Sequence, residues 1–210
     1  CNPGRQKRVL ASAVRFADAE LASTPALLES ATRAYHLPVA LDLADYPFTP
    51  PRGRPKRVVH APTNRLIKGT RYVEAAFAAL RPRFPEVRFE VVERKPWVEL
   101  RAILAEADVV VDQLFMGWYG MVAVEAMALG KPVLCFIRDD FEPLLADCPL
   151  VRCTREDLAD RIAETLSDAS DRGAVGERGR AYAEREHAAP VIAGRLLDLY
   201  RSLVADGSRA

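Results

Sequence analysis

The stretch ADVVVDQLFMGWYGMVAVEAMALGKPVLCFI, residues 107 to 137, holds a strand, a turn, a helix and a second strand in unbroken succession. Its ends, ADVVVDQL and KPVLCFI, are short β-branched runs bounded by turn residues or charges, the pattern of buried strands. Between them MVAVEAMAL is apolar except for Glu125, and the segment from Gly120 to Leu129 reads as a helix. Gly130, Lys131 and Pro132 end it, through a left-handed cap and a residue that cannot continue a helix.

The same alternation extends outward. RVVHAPT, RFEVVE and PLVRC read as further strands from residue 57 onward. A helix over Thr70 to Arg81 carries Val73, Ala76, Phe77 and Leu80 on one face, with Thr70 as N-cap. Helical patterns also cover Pro96 to Ala107, Arg155 to Ser167, and stretches near 174 to 186 and 189 to 204. Right-handed crossovers between such strands cover both faces of a mostly parallel sheet. The expected fold is therefore α/β, a Rossmann-like doubly wound domain. Ligands in such sheets bind beyond the carboxyl ends of the strands, which directs attention to the loops after Thr63, Glu93, Leu114 and Ile137.

Composition prunes the functional classes. Of 210 residues half are hydrophobic, so a packed core is expected, and 30 basic against 29 acidic residues give a net charge of +1. That balance supplies no chain-wide field toward nucleic acid. No apolar run approaches the ~18 residues of a spanning helix, and the start lacks a signal-peptide pattern, so a cytoplasmic protein is expected. Cys1, Cys135, Cys148 and Cys153 follow no metal-ligand spacing, and neither zinc nor a disulfide framework is expected. The Pro- and Arg-rich stretch YPFTPPRGRPKR reads as an interdomain linker, with at most peripheral contact to anionic phospholipid. A phosphate-binding P-loop, a dinucleotide fingerprint, a zinc-protease helix and a hydrolase nucleophile elbow are all absent from the sequence.

Two segments carry chemistry. At Gly120 a helix start aims free backbone N–H groups and about half a positive charge at whatever lies before it, a natural diphosphate site. Glu125, about 5 Å further along, leans back toward that terminus and can accept hydrogen bonds from ribose hydroxyls. In HAPTNRLIKGT, Arg65 and Lys68 stand between a strand and the next helix, outlining a phosphate clamp.

The Lys-Gly loop before a helix, the alternating α/β body and the pattern Gly-x-x-x-x-Glu-Ala-Met-Ala-x-Gly-x-Pro-Val together resemble the C-terminal domain of retaining GT-B glycosyltransferases of the family 4 type. The resemblance covers roughly residues 57 to 204. It implies that Arg65 and Lys68 bind the donor diphosphate and carry catalysis, that the Gly120 and Met121 amides cap it, and that Glu125 holds the ribose. Gly69 belongs to the same loop. The substrate implied is a nucleotide sugar, with no further cofactor and no essential metal, and the acceptor, a sugar, a lipid-linked group or a protein, is open. Residues 1–45 then correspond to a remnant of an N-terminal acceptor domain, 46–57 to the linker, 57–188 to the nucleotide-sugar-binding domain, and 189–204 to a helix packing back across the cleft. With the rest of the N-terminal domain missing, this chain would bind nucleotide yet transfer little sugar.

One departure stands out. The family carries a second glutamate eight positions before the first-named one, contacting the donor sugar, and here that position is Gly117. Asp112, at a strand end, is the candidate replacement; a strand-end cap is its alternative role. The Arg65-to-Lys68 spacing of three is also shorter than the family's five. His60 faces either the donor cleft or the core; Trp118 and Tyr119 are candidates for lining the sugar pocket; Asp139, Asp140 and Glu142 begin a helix and require no ion. Two other readings stay open: a catalytically silent nucleotide-sugar-binding scaffold, and a GT-B sugar-nucleotide epimerase.

Overall fold

The structure, a computed structural model, describes residues 16–29, 34–145 and 147–207; Cys1 and part of the stretch 1–45 lie outside them. The chain divides into two compact units, Ala40–Ala189 and a smaller one made of Cys1–Val39 with Pro190–Ala210. In the smaller unit β1 (Glu20–Ala22) and β2 (Ala34–His36) pair in parallel, joined through α1 (Pro25–Leu28).

The larger unit runs β3 (Arg57–His60), α2 (Arg65–Lys68), α3 (Thr70–Leu80), β4 (Arg88–Val91), α4 (Trp97–Ala105), β5 (Val109–Val111), α5 (Met121–Ala128), β6 (Val133–Cys135), β7 (Val151–Arg152), α6 (Leu158–Ser167) and α7 (Ala169–Glu186). A last helix, α8 (Ala189–Gly207), continues from its end. The five strands form one parallel sheet in the order β4-β3-β5-β6-β7, with Val58 opposite both Phe89 and Val109. From β3 the chain first adds β4 on one side and then β5 on the other. The strand order therefore reverses between β3 and β5, and a crevice opens outside their carboxyl ends.

Burial explains why the expected strands are strands. Val58, Val109, Val111 and Leu134 are covered on one face by Val73, Phe77 and Leu80 of α3 and by Leu158, Ile162 and Leu166 of α6. Each such side chain contributes ~1.5–3 kcal/mol when fully buried. On α5 every residue from Val122 to Ala128 is buried, which accounts for its near-continuous apolar sequence.

Two local expectations are corrected. Thr70 does not cap α3: Gly69 does, in the left-handed region at φ 71°, and Thr70 is the helix's first, fully buried residue. The helix expected near 174 begins at Ala169, where the Asp168 side chain accepts from the Asp171 N–H. The segment that composition marks as a linker is fastened to the larger unit. Its prolines leave few N–H donors, so its carbonyls are served instead by side-chain cations: Lys131 donates to Thr49 O, Arg172 to Gly53 O at 2.8 Å and Arg180 to Tyr46 O at 2.6 Å. Among the described residues Cys135, Cys148 and Cys153 are free thiols, and no helix is long and apolar enough to cross a membrane.

Candidate functional site

The loop after β3 is shaped by Asn64 and Gly69. The Asn64 side chain accepts from the N–H groups of Leu66 and Ile67, starting the single turn of α2, and Gly69 ends it. A Cβ at Gly69 would lie 3.0 Å from that of Leu114, so the turn needs glycine for both space and conformation. This turn drives Lys68 inward to 8% exposure, and its Nζ lies 2.5 Å from Asp112 Oδ1. Asp112, 2% exposed just past β5, accepts the Gly120 N–H on Oδ2 at 2.5 Å. A Cβ on Gly120 would approach Lys68 Nζ to 2.8 Å.

Lys68, Asp112 and Gly120 thus meet at the N-terminus of α5, at the crevice between β3 and β5. The Gly120 amide is already engaged by Asp112. The next two N–H groups, of Met121 and Val122, donate to no group among the described residues. Lys68 makes one hydrogen bond with three available protons. A cation with two spare protons and two free amides at a helix start can receive an anion.

Glu125, 6% exposed, lies one turn further along α5. Its Oε1 accepts from Tyr46 Oη at 2.8 Å and Trp97 Nε1 at 3.3 Å, while Oε2 accepts from none of the described residues and keeps contact with solvent. Burial raises the Glu125 carboxyl above its ordinary value; the Tyr46 and Trp97 hydrogen bonds pull it back, and the Asp112 charge adds to the rise.

The remaining candidates separate. Arg65 is half-exposed, its guanidinium held by Glu74 at 2.6 Å and Glu93 at 2.7 Å. It stands on the rim of a cavity of about 520 Å³ lined also by Asn64, Val92, Lys95, Leu100 and Val122. His60 lies in the core: Nδ1 is 2.9 Å from Val111 O and Nε2 3.0 Å from Thr70 Oγ1, and burial lowers its pKa. Tyr119 stacks on Trp118 with centroids 4.9 Å apart, and its hydroxyl reaches Tyr182 Oη at 3.2 Å and His187 Nε2 at 3.0 Å. It is committed to that buried network. Burial, with the nearby Tyr182 hydroxyl, pushes its pKa far upward.

Gly117 adopts φ 70°, and a Cβ there would sit 2.5 Å from Arg138 Cγ. A glutamate at this position would need both a strained backbone and a displaced Arg138. Asp140 and Glu142 are paired with Arg138 and Arg152, so the acidic run is neutralised within the protein. Tyr46, Trp97 and Arg138 were invisible as site residues in the sequence. Nothing in their local pattern marks them, and each reaches the site only through the tertiary fold.

Residues 81–182 match the family model described as Glycosyl transferases group 1. No curated protein sequence matches the chain. Among solved structures, sucrose-phosphate synthase from Thermosynechococcus elongatus aligns with TM-score 0.69 at 21% identity, over 95% of this chain and 61% of that one. HepE from Anabaena, in complex with UDP-glucose, gives TM-score 0.69 at 17% identity over 90% and 65%. A TarM mutant from S. aureus, in complex with fondaparinux, alpha-GlcNAc-glycerol and UDP, gives 0.72 at 14% identity over 93% and 46%. The shared fold is that of GT-B glycosyltransferases, and the chain spans 46% to 65% of the length of these structures.

Proposed function

We propose that the chain is the donor-binding half of a retaining, metal-independent glycosyltransferase of the family 4 type, acting on a nucleotide sugar and an acceptor held elsewhere. The observation that carries this reading is the meeting of Lys68, Asp112 and Gly120 at the start of α5, with the Met121 and Val122 amides free. The 520 Å³ cavity beside it has room for a nucleoside, and two similar structures hold UDP or UDP-glucose. Glu125 Oε2 accepts from no donor among the described residues and is available to ribose hydroxyls.

In the transfer, the bond from the anomeric carbon to the diphosphate oxygen breaks and a bond to the acceptor oxygen forms. The acceptor proton passes to the departing diphosphate. Negative charge grows on that diphosphate, and the Lys68 ammonium and two amides, already in place, stabilise it as a divalent cation would. Arg65 joins them only by giving up Glu74 or Glu93.

Calorimetric titration with ADP, CDP, GDP and UDP tests the reading. At least one is expected to bind equally with and without EDTA, and Lys68→Ala is expected to weaken it about tenfold or more. Binding by none, or binding indifferent to Lys68, would overturn it.

A silent nucleotide-sugar-binding domain is the second reading, favoured by Gly117, whose backbone and Arg138 contact exclude the family's donor-sugar glutamate. Tight binding of a nucleotide sugar that is never consumed, in a protein that includes the acceptor half, would support it.

A further inference from the structure

Two side chains from distant parts of the sequence converge on one carboxylate oxygen of a third. Tyr46 precedes β3, Trp97 opens α4, and Glu125 lies within α5. Tyr46 Oη and Trp97 Nε1 both donate to Glu125 Oε1, and Trp97 Nε1 also donates to Tyr46 Oη at 3.0 Å. The two rings meet edge-on at 6.2 Å. Both donors are themselves held. Tyr46 is 2% exposed and its carbonyl accepts from Arg180; Trp97 lies under the Arg101 guanidinium at 4.4 Å, which Asp45 anchors at 2.7 Å.

We infer that Tyr46 and Trp97 are positioning residues that fix Glu125 Oε2 toward a ribose and thereby set selectivity for ribonucleotides over deoxyribonucleotides. The inference rests on the donor-site reading above. A glutamate with three free torsions would sample many directions, whereas two donors on Oε1 leave Oε2 a single outward setting. Leu100 and Val122 line the 520 Å³ cavity, and each lies three positions from Trp97 and Glu125 respectively, on the same helix face. One oxygen with two lone pairs can accept from both hydroxyls of a vicinal diol. Were the two donors only satisfying a buried carboxylate, their loss would affect stability and leave nucleotide selectivity unchanged.

The test is the affinity of whichever of ADP, CDP, GDP and UDP binds tightest, against its 2′-deoxy and 3′-deoxy counterparts, for the wild type, Tyr46→Phe and Trp97→Phe, with melting temperature as the folding control. The wild type is expected to prefer the ribonucleotide about tenfold or more, and each variant is expected to lose most of that preference with deoxynucleotide affinity unchanged. Trp97→Phe, at a residue 45% exposed, carries the test should Tyr46→Phe fail to fold. Undiminished preference in the variants, or equal loss for both sugars, overturns the inference while the donor site stands, as does a wild type that binds both alike. If no nucleotide binds the wild type, the donor-site reading falls and the inference with it.

Discussion

Glu125 sits in an otherwise apolar helix, where burial works against its charge and two hydrogen bonds work for it. Burial wins, so the folded carboxyl holds its proton to higher pH than the unfolded one, whose ordinary value is 4.5. The sign follows. Above its raised folded pKa the buried charge lowers stability, and as pH falls toward 4.5 the folded state takes up a proton more readily and that loss is recovered. Glu125→Gln keeps an acceptor for Tyr46 and Trp97 without the charge. Urea unfolding is expected to find it more stable than the wild type at neutral pH, with the difference shrinking as pH falls through that window; a difference independent of pH would contradict the account. Lys68, Gly120 and Glu125 were legible in the sequence because each interrupts a pattern. Tyr46 and Trp97 were not, since they lie 79 and 28 positions from the carboxylate they hold and obey no local rule.

At the scale of elements, α7 packs on the end of α5 through glycine. A Cβ on Gly176 would fall 2.1 Å from Gly130 O, whereas one on Gly173, a turn earlier, would meet nothing within 4 Å. Helix propensity favours alanine at both positions; packing forbids it at one. Gly173→Ala is expected to stabilise by ~0.5–1 kcal/mol, and Gly176→Ala to destabilise by ~1–3 kcal/mol, read from denaturant midpoints. Stabilisation by both would show that α7 does not rest on the α5 cap. The five core strands and the long helices were readable because apolar runs and 3.6-residue periodicity are carried by the core itself. The single turn of α2 was not, since four residues show no period, although it is what turns Lys68 inward and Arg65 out. The anchoring of the Pro-rich segment was illegible for a related reason. Composition reports its lack of donors but not the Lys131, Arg172 and Arg180 side chains that bind its carbonyls.

For the whole molecule, the strand order β4-β3-β5-β6-β7 puts the reversal of direction between β3 and β5, and hence places Lys68 and Asp112 side by side. The sequence gives the strands but not their order, so it could nominate the two loops without showing that they touch. On the proposed function, the start of α5 receives the diphosphate of a nucleotide. The most direct measurement is the backbone amide spectrum of the ¹⁵N-labelled chain during titration with whichever of ADP, CDP, GDP and UDP binds tightest. Saturable shifts are expected to concentrate at Gly69, Gly120, Met121 and Val122. Saturable shifts clustered elsewhere, with these amides unmoved, would contradict the proposed function.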